Sequence, residues 1–236
     1  MKAIIMAAGM GTRISSETNE PKSLLDIGNG PLLHHTISLL QKNNIEVCVC
    51  LGFKGELIRE ALKDFNVTFY ENPFYKVTNS IASLWFAREE LKDDEDILLA
   101  NADVFWQQDI LDLLLEEKGD VTLLADCSRR LSGDYFFHCE DGLLKTYGKE
   151  MPEEERTSEY VGIALIRKGI IPEFRKRMEE LIAKGDYNLW WENTLYSMIG
   201  ERPIPVKDIA GHYWSEIDVL SDYENILQYV KENHLW

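Results

Sequence analysis

A chain of 236 residues, 45% of them hydrophobic, is long enough to enclose one sizeable α/β core and too short for two full domains. Lys and Arg number 25 against 41 Asp and Glu, and the resulting net charge of −16 excludes nucleic acid and anionic membrane as general partners, because those polyanions would be repelled. A phosphate-bearing substrate would need a local cluster of cations or a metal ion to be accepted at all.

In chain order, the opening MKAIIMAAGMG holds only a short apolar run before glycine closes it, which reads as a strand and neither as a signal peptide nor as a membrane span. The protein is therefore expected in the cytoplasm. Strands are predicted at Lys2 to Met6, Glu46 to Leu51, Val67 to Tyr70, Asp96 to Ala100 and Asp120 to Ala125, with helices at Leu32 to Asn43, Glu56 to Asp64, Ser80 to Leu91 and Asp109 to Lys118. That alternation is the rhythm of βαβ units around a parallel sheet. After Asp126 the pattern changes. Tyr135 to Cys139, a Glu-Asp-Gly turn at 140–142 and Leu143 to Tyr147 read as a β-hairpin, followed by a strand at Tyr160 to Ile166. Helices are then expected at Pro172 to Lys184, Leu189 to Ile199 and Val219 to Glu232. One domain is expected over residues 1–236, with halves at about 1–126 and 127–236. Cys48, Cys50, Cys127 and Cys139 lack CxxC spacing and read as reduced core thiols.

The first strand runs into Ala7-Ala8-Gly9-Met10-Gly11-Thr12-Arg13, where small residues let backbone N–H groups approach a polyphosphate and Arg13 meets its charge. Lys22, after Pro21, brings a second cation. The composite KAIIMAAGMGTRxxxxxxxPKSLLDIGNGPLL resembles the signature of the sugar-phosphate and cytidylyl nucleotidyltransferase superfamily. The resemblance implies an α/β fold with a Rossmann-like, mostly parallel sheet flanked by helices, the nucleotide lying across the carboxyl ends of the strands. The C-terminal hairpin and helices would then be an embellishment that forms an acceptor pocket. One departure is visible. Many members carry Pro-Leu-Thr between the Arg and the Pro-Lys, whereas this chain has Ile14-Ser15-Ser16-Glu17-Thr18-Asn19-Glu20, so Ser15 and Ser16 stand as candidate phosphate contacts.

The run DILLANADVFW sets Asp103 just beyond an apolar strand, and HYWSEIDVLSDY sets Asp218 ahead of the final helix. The resemblance implies that both hold Mg2+ and that Lys22, Arg13, Asp103 and Asp218 form the catalytic group. Read from the residues alone, Asp103 is also a turn aspartate and Asp218 an N-cap, with Asp222 as the alternative cap and Glu216 as an alternative acid. Oxygen ligands suit Mg2+, and an acceptor phosphate already ionised at neutral pH needs no protein base.

For the nucleotide, the contacts implied are Ala7, Ala8, Gly9, Gly11, Thr12, Arg13, Gly52, Asn79 and Ser80, although Asn79 or Thr78 also reads simply as a helix N-cap. In this region the chain is more similar to bacterial phosphocholine and 2-aminoethylphosphonate cytidylyltransferases than to the long glucose-1-phosphate enzymes. The acceptor residues proposed are Tyr160, Tyr187, Trp190, Trp191, Glu192 and Glu216, a mixture of aromatic faces for a quaternary ammonium and carboxylates for a primary one. Trp190 and Trp191 equally read as helix core. The leading expectation is CTP with a phosphorylated amino-alcohol or aminophosphonate. Its alternatives are a sugar-1-phosphate nucleotidyltransferase using UTP or dTTP, and an inactive nucleotide-binding regulatory domain; a homodimer is among the assemblies allowed.

Overall fold

The computed structural model describes residues 1–11 and 20–235. Thr12, Arg13, Ser15 and Ser16 therefore lie outside the described residues. Eleven strands are described: β1 Lys2–Ala7, β2 Glu46–Leu51, β3 Val67–Glu71, β4 Ile97–Asn101, β5 Val104–Phe105, β6 Val121–Asp126, β7 Phe136–Glu140, β8 Leu143–Gly148, β9 Ser158–Ile166, β10 Val206–Asp208 and β11 Ser215–Glu216. The helices are α1 Leu32–Lys42, α2 Gly55–Ala61, α3 Ser80–Phe86, α4 Gln108–Glu116, α5 Ile171–Ala183, α6 Asn193–Tyr196 and α7 Leu220–Glu232.

The main sheet runs β10-β6-β9-β4-β1-β2-β3, with the β7–β8 hairpin attached through β9. Pairing is parallel from β4 through β1 and β2 to β3, whereas β9 lies antiparallel between β4 and β6. Residues of the first half and of the second half thus share one sheet. Side chains of β1 alternate between its two faces: Ala3, Ile5 and Ala7 join one buried cluster, and Ile4 and Met6 join the other. A third cluster packs Leu25, Ile27 and Leu32 against Phe105, Ile217, Ile226 and Val230. It ties the segment after Lys22 to the segment carrying Asp218.

Two predicted helices are shorter by more than a turn in the structure. The helix expected over Ser80 to Leu91 ends at Phe86, and Arg88–Glu90 form a separate 3-10 turn. There the Arg88 guanidinium lies 4.0 Å over the Trp85 ring, and Glu90 is drawn into contact with Lys2 and the Tyr70 hydroxyl. The helix expected over Leu189 to Ile199 is confined to Asn193–Tyr196. Its leading residues are used by α3 instead: Leu189 O accepts from Ile81 N at 3.2 Å, and Trp191 N donates to Ser80 Oγ at 2.9 Å. Of the cysteines, Cys48 and Cys50 are buried as expected. Cys127 is exposed and Cys139 half-buried, so neither is the core thiol predicted; the four are free of disulfides. Among the described residues, no helix is long and apolar enough to cross a membrane.

Candidate active site

Three segments distant in sequence meet beyond the carboxyl ends of β1 and β4. Asp103 sits in the short connection from β4 to β5, and β5 pairs antiparallel with β11, Glu216 opposite Val104. Ile217 N donates to Asp103 O at 2.9 Å, so the backbone itself holds the second acidic segment against the first. Carboxylate oxygens of Asp103, Glu216 and Asp218 lie within 4.8 Å of one another. Lys22 enters the same group from the 3-10 turn Lys22–Leu24, its Nζ 2.5 Å from Asp218 Oδ1 and 3.5 Å from Asp103 Oδ2.

Electrostatics follow from this crowding. Burial raises the Asp103 carboxyl, Lys22 opposes the rise, and Asp218 adds to it. Glu216 is pushed well up by burial and then by the charges of Asp103 and Asp218. Burial pulls Lys22 down, yet Asp103 and Asp218 outweigh it and hold the ammonium above the ordinary lysine range. One ammonium among three carboxylates leaves a negative, all-oxygen site, a donor set that fits a hard divalent cation such as Mg2+.

Asp218 does not cap α7. Val219 occupies the cap position, and the Asp222 carboxylate accepts from both Asp218 N and Val219 N at 2.9 Å. The Asp218 side chain is thereby left to face Lys22.

On the nucleotide side, a cleft of about 200 Å³ is lined by Ala8, Gly9, Asn72, Thr78, Asn79, Ser80, Asn101, Asp103 and Trp190, among others. Among the described residues, a Cβ on Gly9 would touch nothing within 4 Å. Gly11 also accommodates Lys22. Its φ is +54°, and a Cβ there would fall 2.8 Å from Lys22 Cγ, so the glycine makes room for the lysine stem. Ala7 and Gly11 lie with Lys22 and Asp103 around a smaller adjoining hollow. Gly52 packs behind the cleft rather than lining it, with a built Cβ 2.7 Å from both Ala8 O and Tyr75 Cβ. Asn79 is the N-cap of α3, its Oδ1 accepting from Ser80 N at 2.8 Å, and it lines the cleft as well.

A second cavity of about 200 Å³ adjoins the carboxylates and shares Glu216 and Asp218 with them. Of the proposed acceptor residues, Tyr160, Trp190, Glu192 and Glu216 line it. Two of the predicted residues are elsewhere. Trp191 is fully buried in the core, its Nε1 donating to Asn101 Oδ1 at 3.0 Å. Tyr187 is 47% exposed and does not line the cavity, and its backbone carbonyl accepts from Asn79 N at 2.8 Å. The structure adds Asn101, Tyr135, Lys149 and Tyr196 to this cavity, and Asn101, Ser80 and Trp190 border both cavities. Asn101 had a visible signal, as the polar residue ending an apolar strand two positions before Asp103. Tyr135 and Lys149 had none, because the hairpin they flank, though legible in the sequence, is brought to the cavity by tertiary pairing with β9.

A strand-end glycine loop, a lysine, and two strand-end carboxylates around a shared cleft are the arrangement expected of the superfamily that the N-terminal signature resembles. The MobA-like NTP transferase domain matches residues 3–184 of this sequence. The chain belongs to that family. Among its relatives, a choline-phosphate cytidylyltransferase of Streptococcus pneumoniae is 24% identical over 243 residues, covering 99% of this chain and 100% of the relative. A CTP:phosphoglutamine cytidylyltransferase of Campylobacter jejuni is 24% identical over 249 residues, covering 95% and 98%. The solved structure of the CTP:phosphocholine cytidylyltransferase of Streptococcus pneumoniae superposes with a TM-score of 0.77 at 22% identity, covering 97% of this chain and 98% of that one, which shows a common fold. The protein is accordingly a nucleotidyltransferase, and its two cavities are candidates for the nucleotide and acceptor sites of such an enzyme.

Proposed function

We propose that this nucleotidyltransferase moves CMP from CTP to a small phosphorylated amino-alcohol or aminophosphonate, with Mg2+ held by Asp103 and Asp218 and pyrophosphate as the second product. The observation that carries the reading is the aromatic cavity with a buried carboxylate, Glu192, which opens directly onto the Lys22–Asp103–Asp218 group. The names of the relatives, which act on choline phosphate and phosphoglutamine with CTP, support the same base and the same kind of acceptor.

In this reading an acceptor phosphate oxygen forms a bond to the α-phosphorus while the bond from that phosphorus to the β-phosphate bridging oxygen breaks. The metal, when bound, supplies a Lewis acid that offsets charge on the α-phosphate and the leaving pyrophosphate. The chain supplies the rest. Lys22 neutralises charge at the junction of the two cavities, Gly9 lines the nucleotide cleft, and Asn79 and Ser80 border the nucleoside side. Trp190 stands between the two cavities and sets the separation of the reactants. Glu216 borders both.

The test is pyrophosphate release with Mg2+, crossing CTP, UTP, dTTP, ATP and GTP against amino-bearing phosphates, amino-bearing phosphonates and glucose-1-phosphate. Turnover confined to CTP with an amino-bearing acceptor supports the reading. Turnover with UTP or dTTP and the sugar phosphate overturns it, and NTP binding without turnover on any acceptor would point to a regulatory domain.

A further inference from the structure

Glu192 is a buried carboxylate, 5% exposed, immediately ahead of α6. Its Oε1 receives one long hydrogen bond, 3.4 Å from Asn101 Nδ2. The Asn101 amide is fixed in orientation, because its Oδ1 already accepts from Trp191 Nε1, so its NH2 side is the one turned to Glu192. The groups that act on this carboxylate are its own backbone N–H, Asn101, Tyr160 and the Asp103 charge, and among the described residues no cation pairs with it. A desolvated carboxylate in that setting calls for further donors.

Two hydroxyls in the same cavity are in a similar condition. Tyr160 and Tyr196 line it, and among the described residues their buried oxygens have no hydrogen-bond partner. The Tyr160 hydroxyl stands beside the Glu192 carboxyl and opposes the rise that burial imposes on it, and the Tyr196 hydroxyl stands beside that of Tyr135. The ring faces are more fully used. Phe137 stacks on Tyr160 with centroids 5.0 Å apart, Tyr147 stacks on Tyr196 at 4.0 Å, and Lys149 Nζ lies 5.7 Å over the Trp190 ring. What the cavity offers in excess is polar oxygen rather than open aromatic face.

We propose that the cationic end of the acceptor is a primary ammonium, read by Glu192 together with the Tyr160 and Tyr196 hydroxyls, and that a quaternary ammonium is discriminated against. The inference rests on the amino-acceptor reading above. A primary ammonium brings three N–H donors to three waiting oxygens. A trimethylammonium brings none and leaves the same oxygens desolvated and unsatisfied. A site built to hydrogen-bond a substrate rejects an analogue lacking the donor far more strongly than an apolar pocket rejects an added methyl.

The experiment measures kcat/KM for the full chain with CTP and Mg2+ on phosphoethanolamine, its N-methyl and N,N-dimethyl derivatives and phosphocholine, and on 2-aminoethylphosphonate beside its N-trimethyl analogue. The expected result is a fall with each methyl, reaching at least about tenfold between the primary and quaternary members. Glu192→Gln and Tyr160→Phe should each lower kcat/KM on the primary amine through KM for the acceptor, with KM for CTP unchanged, and narrow that ratio. Turnover of the quaternary member equal to or better than the primary one overturns this inference and leaves the amino-acceptor reading standing. Silence with every member overturns both.

Discussion

Lys22 Nζ lies 2.5 Å from Asp218 Oδ1 and 3.5 Å from Asp103 Oδ2, so one ammonium joins carboxylates that stand 115 residues apart in sequence, from position 103 to position 218. Its stem fits there only because position 11 is glycine. Lys22→Ala removes the cation that offsets this acidic group and that would meet the incoming phosphates. The expected outcome is a kcat lower by about 100-fold, with a higher KM for the nucleotide. Lys22→Arg should not restore the rate, because a planar guanidinium is not a compact point charge. Steady-state kinetics decide it, and a Lys22→Ala kcat within about threefold of wild type would remove the lysine from the chemistry.

The carboxylates themselves repel one another, which gives the next variant two opposite effects. Burial raises the Asp103 carboxyl, and its neighbours Asp218 and Glu216 share the same small volume. Asp103→Asn therefore relieves like charge in the metal-free protein while deleting a candidate Mg2+ ligand. Turnover should be lost, the metal-free melting temperature should rise by about 2 to 4 °C, and the stabilisation that Mg2+ gives the wild type should shrink. Melting curves with and without Mg2+ measure both effects. A variant that melts lower and still responds fully to Mg2+ contradicts the assignment.

Trp190 and Trp191 are neighbours in sequence with separate work. Trp191 is fully buried and tied to Asn101, so Trp191→Ala should destabilise the fold by about 3 to 5 kcal/mol. Trp190 is 38% exposed and borders both cavities. Trp190→Leu should melt within a few degrees of wild type and raise KM for the acceptor more than KM for CTP. Denaturant titration beside two-substrate kinetics separates the two roles, and equal destabilisation by both variants would make Trp190 core as well.

That division also shows where sequence reading reached its limit. The longer strands carry their own signal: β2 has the predicted bounds, and β1, β3, β4 and β6 begin and end within one residue of them, because alternating and β-branched runs need only the sheet, whereas the two-residue β5 was not predicted. The Asp103–Asp218 pairing was legible through the resemblance, and the structure supplies the device that makes it, the β5–β11 ribbon. The stretch Leu189 to Trp191 was not legible as non-helical. Its departure from helix depends on Ser80 and Ile81, more than a hundred positions earlier, and no local pattern encodes that contact. Lys149 and Tyr135 reach the acceptor cavity in the same non-local way, through the pairing of β7 with β9.

Burial pushes the Glu192 carboxyl from an ordinary 4.5 to about 7, with Asn101 and Tyr160 opposing the rise and Asp103 adding to it; Tyr135 and Tyr196 also face it. The folded protein therefore favours the neutral acid more than the unfolded chain does. Its contribution to stability is full below about 4.5 and is lost as pH rises through about 7. Glu192→Gln stays neutral throughout, so the melting temperature of the variant relative to wild type should climb between about pH 5 and pH 8. Glu159, also raised to about 7 by burial, is present in both proteins and cancels in the difference. Binding of a cationic acceptor favours the ionised form, so wild-type affinity for it should strengthen over the same interval, while that of Glu192→Gln should change less. Melting and acceptor titrations at matched pH values check both, and a stability difference unchanged across the interval would show that Glu192 does not titrate there.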